Sequence, residues 1–234
     1  MKPTLGLFAV LLLAAGFATA AGAQEASADP AAAVTTAADT PPLPPEPLPP
    51  PQAPPLPPAV PPVNVLMHTA LGDIRIALDK QHAPVTVANF LRYVDSKRFD
   101  GITFYRAVKI GPYGNYGMLQ GGLRGNPKKL YPPIAHESPR VTGLSHVDGA
   151  LSMARAAPGS AKADFFFVIG DLVSLDGQPT GEDVGYAVFG RVTEGMDVVR
   201  KILDEPIALE AGEGVMKGQM LFDPVKILTV RRVD

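Results

Sequence analysis

The stretch Phe104–Gly122, FYRAVKIGPYGNYGMLQGG, combines a strand signal, a loop and a double glycine. The β-prone residues at its start predict a strand over Ile102–Val108 that carries Arg106 near its end. A loop rich in Gly and Tyr follows, and the stretch closes with Gln120 before Gly121–Gly122. The pattern therefore places the guanidinium of Arg106 on a strand and the amide of Gln120 next to Gly121–Gly122, where other groups can approach the backbone closely.

Short strands are predicted on both sides of this stretch, because apolar residues alternate with polar ones or form short apolar runs. The predicted strands are Asn64–His68, Ile74–Leu78, Gly149–Ala154, Phe165–Ile169, Ala187–Val192 and Val225–Val233. The first two are expected to form a hairpin through a turn at Ala70–Asp73. Phe165–Ile169 is continuously apolar, which predicts a central strand buried on both faces.

Helical periodicity is limited to two segments. One begins at Pro84 and places Val87, Phe90, Leu91 and Val94 on one face, and the other places Met196, Val199, Ile202 and Leu203 on one face. Many short strands with only two helices predict a mainly β fold. We expect an antiparallel barrel, because closure removes the exposed strand edges.

The N-terminal residues 1–23 read as a secretory signal peptide. Lys2 precedes an apolar run from Leu5 to Phe17, and the small residues that follow allow cleavage after Ala20 or Ala23. An uncleaved N-terminal anchor is the alternative. The chain contains no Cys, which suits export to an oxidising compartment, so a periplasmic or secreted protein is expected.

Residues 24–62 are predicted to be a disordered Ala/Pro-rich linker, and 63–234 the folded domain. More than half of the chain's 26 prolines lie in Pro41–Pro62. Such a segment forms a stiff polyproline II spacer, because proline fixes φ and removes backbone donors. The alternative is a docking motif for a module that reads PxxP sequences.

Several classes of site are not expected from the composition. The four His residues have no second His or Cys at metal-ligand spacing, so neither a metal nor another cofactor is expected. His136, Glu137 and Ser138 suggest a hydrolase, but adjacent residues of an extended segment point apart. The acidic residues Asp176, Glu182 and Asp183 predict a solvated acidic loop, with a cation site as the alternative. A formal net charge of −2 indicates no nucleic-acid partner.

The cues FYR, MLQGG, LSMAR, DFFF, LDG and VFGRV-T-EGM follow one another in an order that resembles the cyclophilin family of peptidyl-prolyl isomerases. They span nearly all of the chain after Val63. The resemblance implies a closed eight-stranded antiparallel β-barrel capped by two α-helices. It also implies a shallow groove that binds proline-containing polypeptide segments, in a monomer that needs no cofactor and does not stay inserted in a membrane.

The resemblance also implies the site residues. Arg106 matches the catalytic Arg, and Gln120 matches the Gln that contacts the substrate backbone. Phe166 matches the base of the proline pocket. The pocket walls, groove edge and rim are matched by Met118, Leu175, Ala154, Arg155 and Tyr186.

The sequence departs from the family pattern around the pocket. Gly117 replaces an aromatic residue, Asp164 replaces a Gln, and Ser174 replaces a residue that is often Trp. Tyr186 replaces a rim residue that is often His and follows an insertion, Gln178–Gly185. These departures bear on substrate preference, rate and binding of the drug cyclosporin, whereas the Arg and the pocket floor are kept.

The favoured interpretation is an isomerase that assists folding of exported proteins, because slow Xaa-Pro isomerisation limits folding. A second interpretation is a peptide-binding module with little turnover. A third is a tether in which the Pro-rich arm docks a partner and the barrel has no activity of its own.

Overall fold

The computed structural model describes residues 60–111 and 116–234. Its strands are β1 (Val63–Thr69), β2 (Gly72–Leu78), β3 (Thr103–Ile110), β4 (Tyr116–Gly122), β5 (Ala150–Met153), β6 (Phe165–Ile169), β7 (Val188–Glu194), β8 (Ile207–Ala208) and β9 (Met220–Val233). Its α-helices are α1 (Pro84–Asp95), α2 (Pro139–Thr142) and α3 (Met196–Leu203), and short 3₁₀ turns cover Val173–Asp176 and Gly214–Met216. The predicted signal peptide and all but the last residues of the predicted linker lie outside the described residues.

Eight of the strands close into an antiparallel barrel in the order β1, β2, β7, β5, β6, β4, β3 and β9, and β9 pairs again with β1. The two-residue strand β8 pairs only with β9 and lies outside this ring. The predicted mainly β, eight-stranded barrel is therefore confirmed. The predicted β1–β2 hairpin is also confirmed, with Val63 opposite Leu78 and Thr69 opposite Gly72.

The barrel interior is filled by side chains that alternate inward along the strands. Phe90 of α1 enters this core and lies 5.5 Å from Phe165 and 5.3 Å from Phe189, measured between ring centroids. The two predicted helices correspond to α1 and α3. The four-residue helix α2 was not predicted, since a single turn carries no periodicity; the Ser138 side chain accepts a bond from the Arg140 backbone N–H at its start.

Two strands extend beyond their predicted bounds. Strand β3 runs to Ile110, so Arg106 lies in its middle and not near its end. Strand β9 begins at Met220 and contributes Leu221, Ile227 and Val230 to the core. The sequence predicts that Ile227 and Thr229 share a face, but the register with β1 shifts at this point, so that Ile227 and Val230 are the buried pair.

Strand β4 was predicted as part of a loop. Its sequence YGMLQGG contains several glycines and no β-branched residue, which hides it from local propensity. Pairing with β3 on one side and β6 on the other determines its extended conformation.

A β-bulge in β3 sets the direction of the side chains around Arg106. Phe104 pairs with Gly121 and Arg106 pairs with Gln120, so Tyr105 is an extra residue in β3. Phe104 and Ala107 therefore point into the barrel core, whereas Tyr105 and Arg106 both point outward. Without the bulge, Arg106 would share the inward face with Phe104.

A second apolar cluster, which we call the outer cluster, lies on the outside of the barrel. Its buried residues are Ala150, Phe166, Val168 and Val188. Partly buried side chains that include Met118, Leu175 and Tyr186 cover it. Strand β6 is buried along its whole length because one face meets the barrel core and the other meets this cluster, as predicted.

Candidate active site

A cleft of about 1380 Å³ opens over the outer cluster on the surface of the barrel. All the residues that the sequence assigned to the site line it: Arg106, Met118, Gln120, Ala154, Arg155, Phe166, Leu175 and Tyr186. They come from β3, β4 and β6, from the loop after β5 and from the segment between β6 and β7. The barrel thus brings together side chains that lie up to 80 positions apart in sequence.

Arg106 is fixed in the cleft by two neutral amides. Its Nη1 donates to Gln120 Oε1 at 2.8 Å, and its Nε and Nη2 donate to Gln219 Oε1 at 2.9 and 2.6 Å. No carboxylate lies within ion-pair distance of Arg106 among the described residues. Partial burial lowers the pKa of Arg106 from its ordinary value, and the side chain remains a cation.

Gln120 is oriented by a hydrogen-bond chain that starts at Asp164. The Tyr105 hydroxyl donates to Asp164 Oδ1 at 3.0 Å and accepts from Gln120 Nε2 at 2.8 Å. Burial, followed by the charge of Asp164, raises the pKa of Tyr105, so its proton stays available for this bond. Because Nε2 faces Tyr105, the amide oxygen of Gln120 must face Arg106.

Asp164 therefore has a definite place where the family pattern has Gln. It also accepts from the backbone N–H of Arg124 at 2.9 Å. Burial raises the pKa of its carboxyl above the ordinary value despite these bonds. A Cβ on Gly122 would lie 2.4 Å from Asp164 Oδ1, so the double glycine allows the close approach that the sequence predicted.

Phe166 forms the floor of the cleft and is 4% exposed. Its ring meets Tyr186 edge-on at 5.7 Å and lies parallel to the His146 ring at 5.9 Å, between centroids. Met118 and Leu175 pack against the same cluster as partly buried walls. The result is an apolar hollow of the kind that a proline ring can enter, next to a guanidinium.

A buried polar group supports this floor from below. His146 is fully buried; its Nδ1 lies 2.5 Å from Asp176 Oδ1 and its Nε2 lies 2.9 Å from Ser152 Oγ. Burial lowers the pKa of His146, so the neutral ring donates from Nδ1 and accepts the Ser152 proton. Ser152 is also fully buried and lies too deep to act on a substrate.

The rim of the cleft carries Arg155 and Tyr186. Arg155 Nη2 donates to the Gly185 carbonyl at 2.5 Å, and the guanidinium carbon lies 4.8 Å from the centre of the Tyr186 ring. Tyr186 is placed by its backbone N–H, which donates to the Leu175 carbonyl at 2.9 Å. The insertion Gln178–Gly185 thus leads back to the pocket wall.

Gly117 contributes no side chain to the cleft. A Cβ built on it would lie 2.2 Å from the Val108 carbonyl oxygen, which excludes any larger residue with this backbone. The pocket wall that an aromatic residue provides in the family is therefore absent at this position.

The other candidates have structural contacts. Glu137 accepts from the backbone N–H groups of Val85 and Thr86 at 2.9 and 2.8 Å, so it caps the N-terminus of α1. Ser138 Oγ donates to the Val184 carbonyl at 2.7 Å, and His136 Nε2 lies 3.3 Å from the same oxygen, so both side chains contact the backbone and Glu137 contacts neither of them. Asp176 accepts from Ser145 and His146, so it is not part of a solvated loop, whereas Glu182 and Asp183 are exposed as predicted.

Two contacts of the site were missed from the sequence. Gln219 lies 113 positions after Arg106, in an irregular segment with no local motif. The turn before it also contributes Glu213, Val215 and Met216 to the cleft. No pattern in the sequence links this turn to Arg106.

Comparison with known proteins gives concordant findings. A family profile described as cyclophilin type peptidyl-prolyl cis-trans isomerase/CLD matches residues 64–231. A peptidyl-prolyl cis-trans isomerase of Acinetobacter baylyi is 35% identical over 168 residues, which are 71% of this chain and 84% of the relative. Peptidyl-prolyl cis-trans isomerase A of Dickeya dadantii is 39% identical over 143 residues, covering 59% of this chain and 70% of the relative.

Solved structures agree on the fold. A Cryptosporidium parvum cyclophilin type peptidyl-prolyl cis-trans isomerase, crystallised in the presence of the dipeptide Ala-Pro, superposes with a TM-score of 0.58 and 21% identity. The match covers 73% of this chain and 99% of that one. At this identity the likeness supports the barrel architecture alone.

Proposed function

The chain belongs to the cyclophilin-type peptidyl-prolyl cis-trans isomerase family, and from this premise we propose that it isomerises Xaa-Pro bonds of exported proteins with Arg106 as the catalytic residue. The observation that carries the proposal is the position of Arg106. Its guanidinium lies in the cleft that Phe166 floors, held by amides that leave its charge in place.

The chemistry requires no nucleophile, base or metal. Rotation about a peptide bond has a barrier of about 18–20 kcal/mol, because the nitrogen lone pair is delocalised into the carbonyl. Twisting the bond localises that lone pair on the proline nitrogen. An N–H of Arg106 aimed at this nitrogen bonds the twisted form better than the planar form, which is differential binding of the transition state.

Each remaining site residue has a proposed part in this scheme. Phe166 receives the proline ring, with Met118 and Leu175 as walls. Gln120 contacts the substrate backbone while its oxygen holds Arg106. Ala154, Arg155 and Tyr186 form the edge along which the polypeptide lies.

The three bonds that Arg106 makes to the two amides involve Nε, one N–H of Nη1 and one N–H of Nη2. Arg carries up to five N–H donors, so Nη1 and Nη2 each keep a donor for the substrate. This arrangement fixes the plane of the guanidinium before a substrate arrives. Such preorganisation reduces the cost of reaching the twisted state.

We further propose a role in folding exported proteins in the periplasm or outside the cell, by a monomer that acts on unfolded or folding polypeptides and binds no nucleic acid. The support is the N-terminal signal pattern, the Pro-rich arm and the absence of Cys in the sequence. Among the described residues, no helix has the length and apolarity needed to cross a membrane.

A turnover assay tests the proposal directly. Purified wild-type protein should accelerate isomerisation of a short Xaa-Pro peptide, and Arg106→Ala should remove most of the acceleration. Peptide binding without acceleration would favour the second candidate, a binding module. The observation that favours that candidate is Gly117, where the structure leaves no room for a wall side chain.

A further inference from the structure

Gln219 is in contact with Arg106 although it does not line the cleft. Its side-chain oxygen accepts from both Nε and Nη2 of Arg106, at 2.9 and 2.6 Å. Gln219 is partly buried and is not among the residues that line the cleft, whereas Met216 and Met220 beside it are. Its contact with the candidate catalytic group is the pair of hydrogen bonds to the guanidinium of Arg106.

The backbone of Gln219 is fixed at both ends. Its carbonyl accepts from the N–H of Ala107, the residue after Arg106, at 2.9 Å, and its own N–H donates to the Met216 carbonyl at 3.1 Å. The next residue, Met220, pairs directly with Arg106 at the start of β9. These bonds tie the end of the 3₁₀ turn to β3, so the amide is held against the guanidinium edge.

Two other arginines of the chain are also held through two donor nitrogens each, but by the two oxygens of a carboxylate. Arg231 donates to both oxygens of Asp100, and Arg232 donates to both oxygens of Asp95. A carboxylate neutralises the cation and satisfies the donors at once. An amide oxygen gives the same orientation without the negative charge.

We propose that Gln219 is a positioning residue for the isomerisation: a neutral acceptor that fixes the plane of Arg106 and leaves its positive charge for the twisted peptide bond. The inference rests on the proposed function, in which Arg106 bonds the proline nitrogen. It assigns the turn Gly214–Met216 and the start of β9 to the catalytic machinery, although neither was predicted from the sequence.

Two substitutions separate orientation from charge. Gln219→Met keeps the length of the side chain but removes the acceptor, and we expect kcat to fall roughly 10- to 100-fold because the guanidinium is no longer held in place. Gln219→Glu keeps the acceptor oxygens but adds a charge, and we expect kcat to fall about tenfold as the cation is neutralised. In both variants KM for a neutral Xaa-Pro peptide should stay within about twofold, as expected for an interaction made only in the transition state.

Gln81→Glu is the matched control, because Gln81 is exposed, lies outside the cleft and receives the same change in charge. Its kcat should equal that of the wild type. Wild-type kcat in Gln219→Met would overturn the positioning role, and wild-type kcat in Gln219→Glu would overturn the requirement for a neutral partner. A parallel rise in KM would show that Gln219 acts on substrate binding instead.

A measurement without substrate keeps the inference testable if the wild type shows no turnover. The Nε–H of Arg106 should give a protected NMR signal in the wild type and in Gln219→Glu. In Gln219→Met its exchange with solvent should become at least about tenfold faster, as expected for an N–H that has lost its acceptor. Equal exchange in wild type and Gln219→Met would overturn the inference independently of the proposed function.

Discussion

Replacing Phe166 by Ala tests the site and the packing together, because Phe166 is both the floor of the cleft and the centre of the outer cluster. Removing a buried Phe side chain costs about 3–5 kcal/mol. Phe166 borders the open cleft, so water can fill the hole, and we expect a loss near 3 kcal/mol. For a domain of this size, that corresponds to a fall in Tm of roughly 6–12 °C.

Activity should fall in the same variant for a different reason. A proline ring that covers roughly 60–80 Å² of apolar floor gains about 1.5–2 kcal/mol from this contact. Losing the contact should lower kcat/KM about 10- to 30-fold. The assay is peptide isomerisation at about 10 °C, where the variant remains folded, combined with urea unfolding of the same samples.

The neighbouring residue Phe167 provides the control. It lies on the same strand but points into the barrel core, where it is fully buried and lies 5.9 Å from Phe104 between ring centroids. Phe167→Ala should cost more stability, near 5 kcal/mol, and leave kcat/KM of the folded fraction unchanged. Unchanged Tm and unchanged activity in Phe166→Ala would refute its placement, as would an activity loss confined to Phe167→Ala.

Four further predictions follow from the site and the sequence. Arg106→Ala should lower the catalysed rate roughly 10²–10³-fold, and Arg106→Lys should restore little, since a lysine lacks the planar guanidinium fork. The wild-type rate should be nearly flat from about pH 6 to 9. An inflection near neutrality in a pH–rate profile would argue against the mechanism. Burial lowers the pKa of His146, so the unfolded chain takes up this proton at a higher pH than the folded chain. The free energy of unfolding should therefore fall as the pH drops below about 6.5. Urea unfolding at several pH values should show a weaker dependence of this free energy on pH in His146→Gln. Removal of the arm up to Pro62 should leave turnover unchanged, whereas a large rise would reveal autoinhibition by its Xaa-Pro bonds. N-terminal sequencing of the processed protein should begin at Ala21 or Gln24, and an intact Met1 on membrane-bound protein would contradict cleavage.

The strands with alternating or continuous apolar residues could be predicted from the sequence, because side chains on a barrel wall repeat every second residue. Strand β4 could not, because its glycines have low strand propensity and its conformation depends on pairing with β3 and β6. The bulge at Tyr105 was also missed. The bulge is defined by the pairing register between β3 and β4, and the sequence of β3 alone contains no pattern that indicates it.

The residues assigned to the site from the sequence all line one cleft, because the motifs that identify them lie on paired strands or in segments directly adjoining them. Their supporting residues were harder to find. The spacing of the His residues argues against a metal site but does not place His146 under Phe166, and no sequence pattern indicates that Gln219 contacts Arg106. Both act through contacts between distant segments, and local spacing carries no information about such contacts.

The separation of the outer cluster from the barrel core has a consequence for local opening. Apart from Met118 of β4, the residues that cover the outer cluster come from loops and a 3₁₀ turn, which are held by Asp176 and by the Tyr186–Leu175 backbone bond. Amides in these segments should exchange with deuterium while the strands of the barrel remain protected, since they can detach without opening the barrel core. The loops and the 3₁₀ turn that border the groove can therefore change in sequence with less effect on the lifetime of the folded domain than the barrel core, although Phe166 contributes to both.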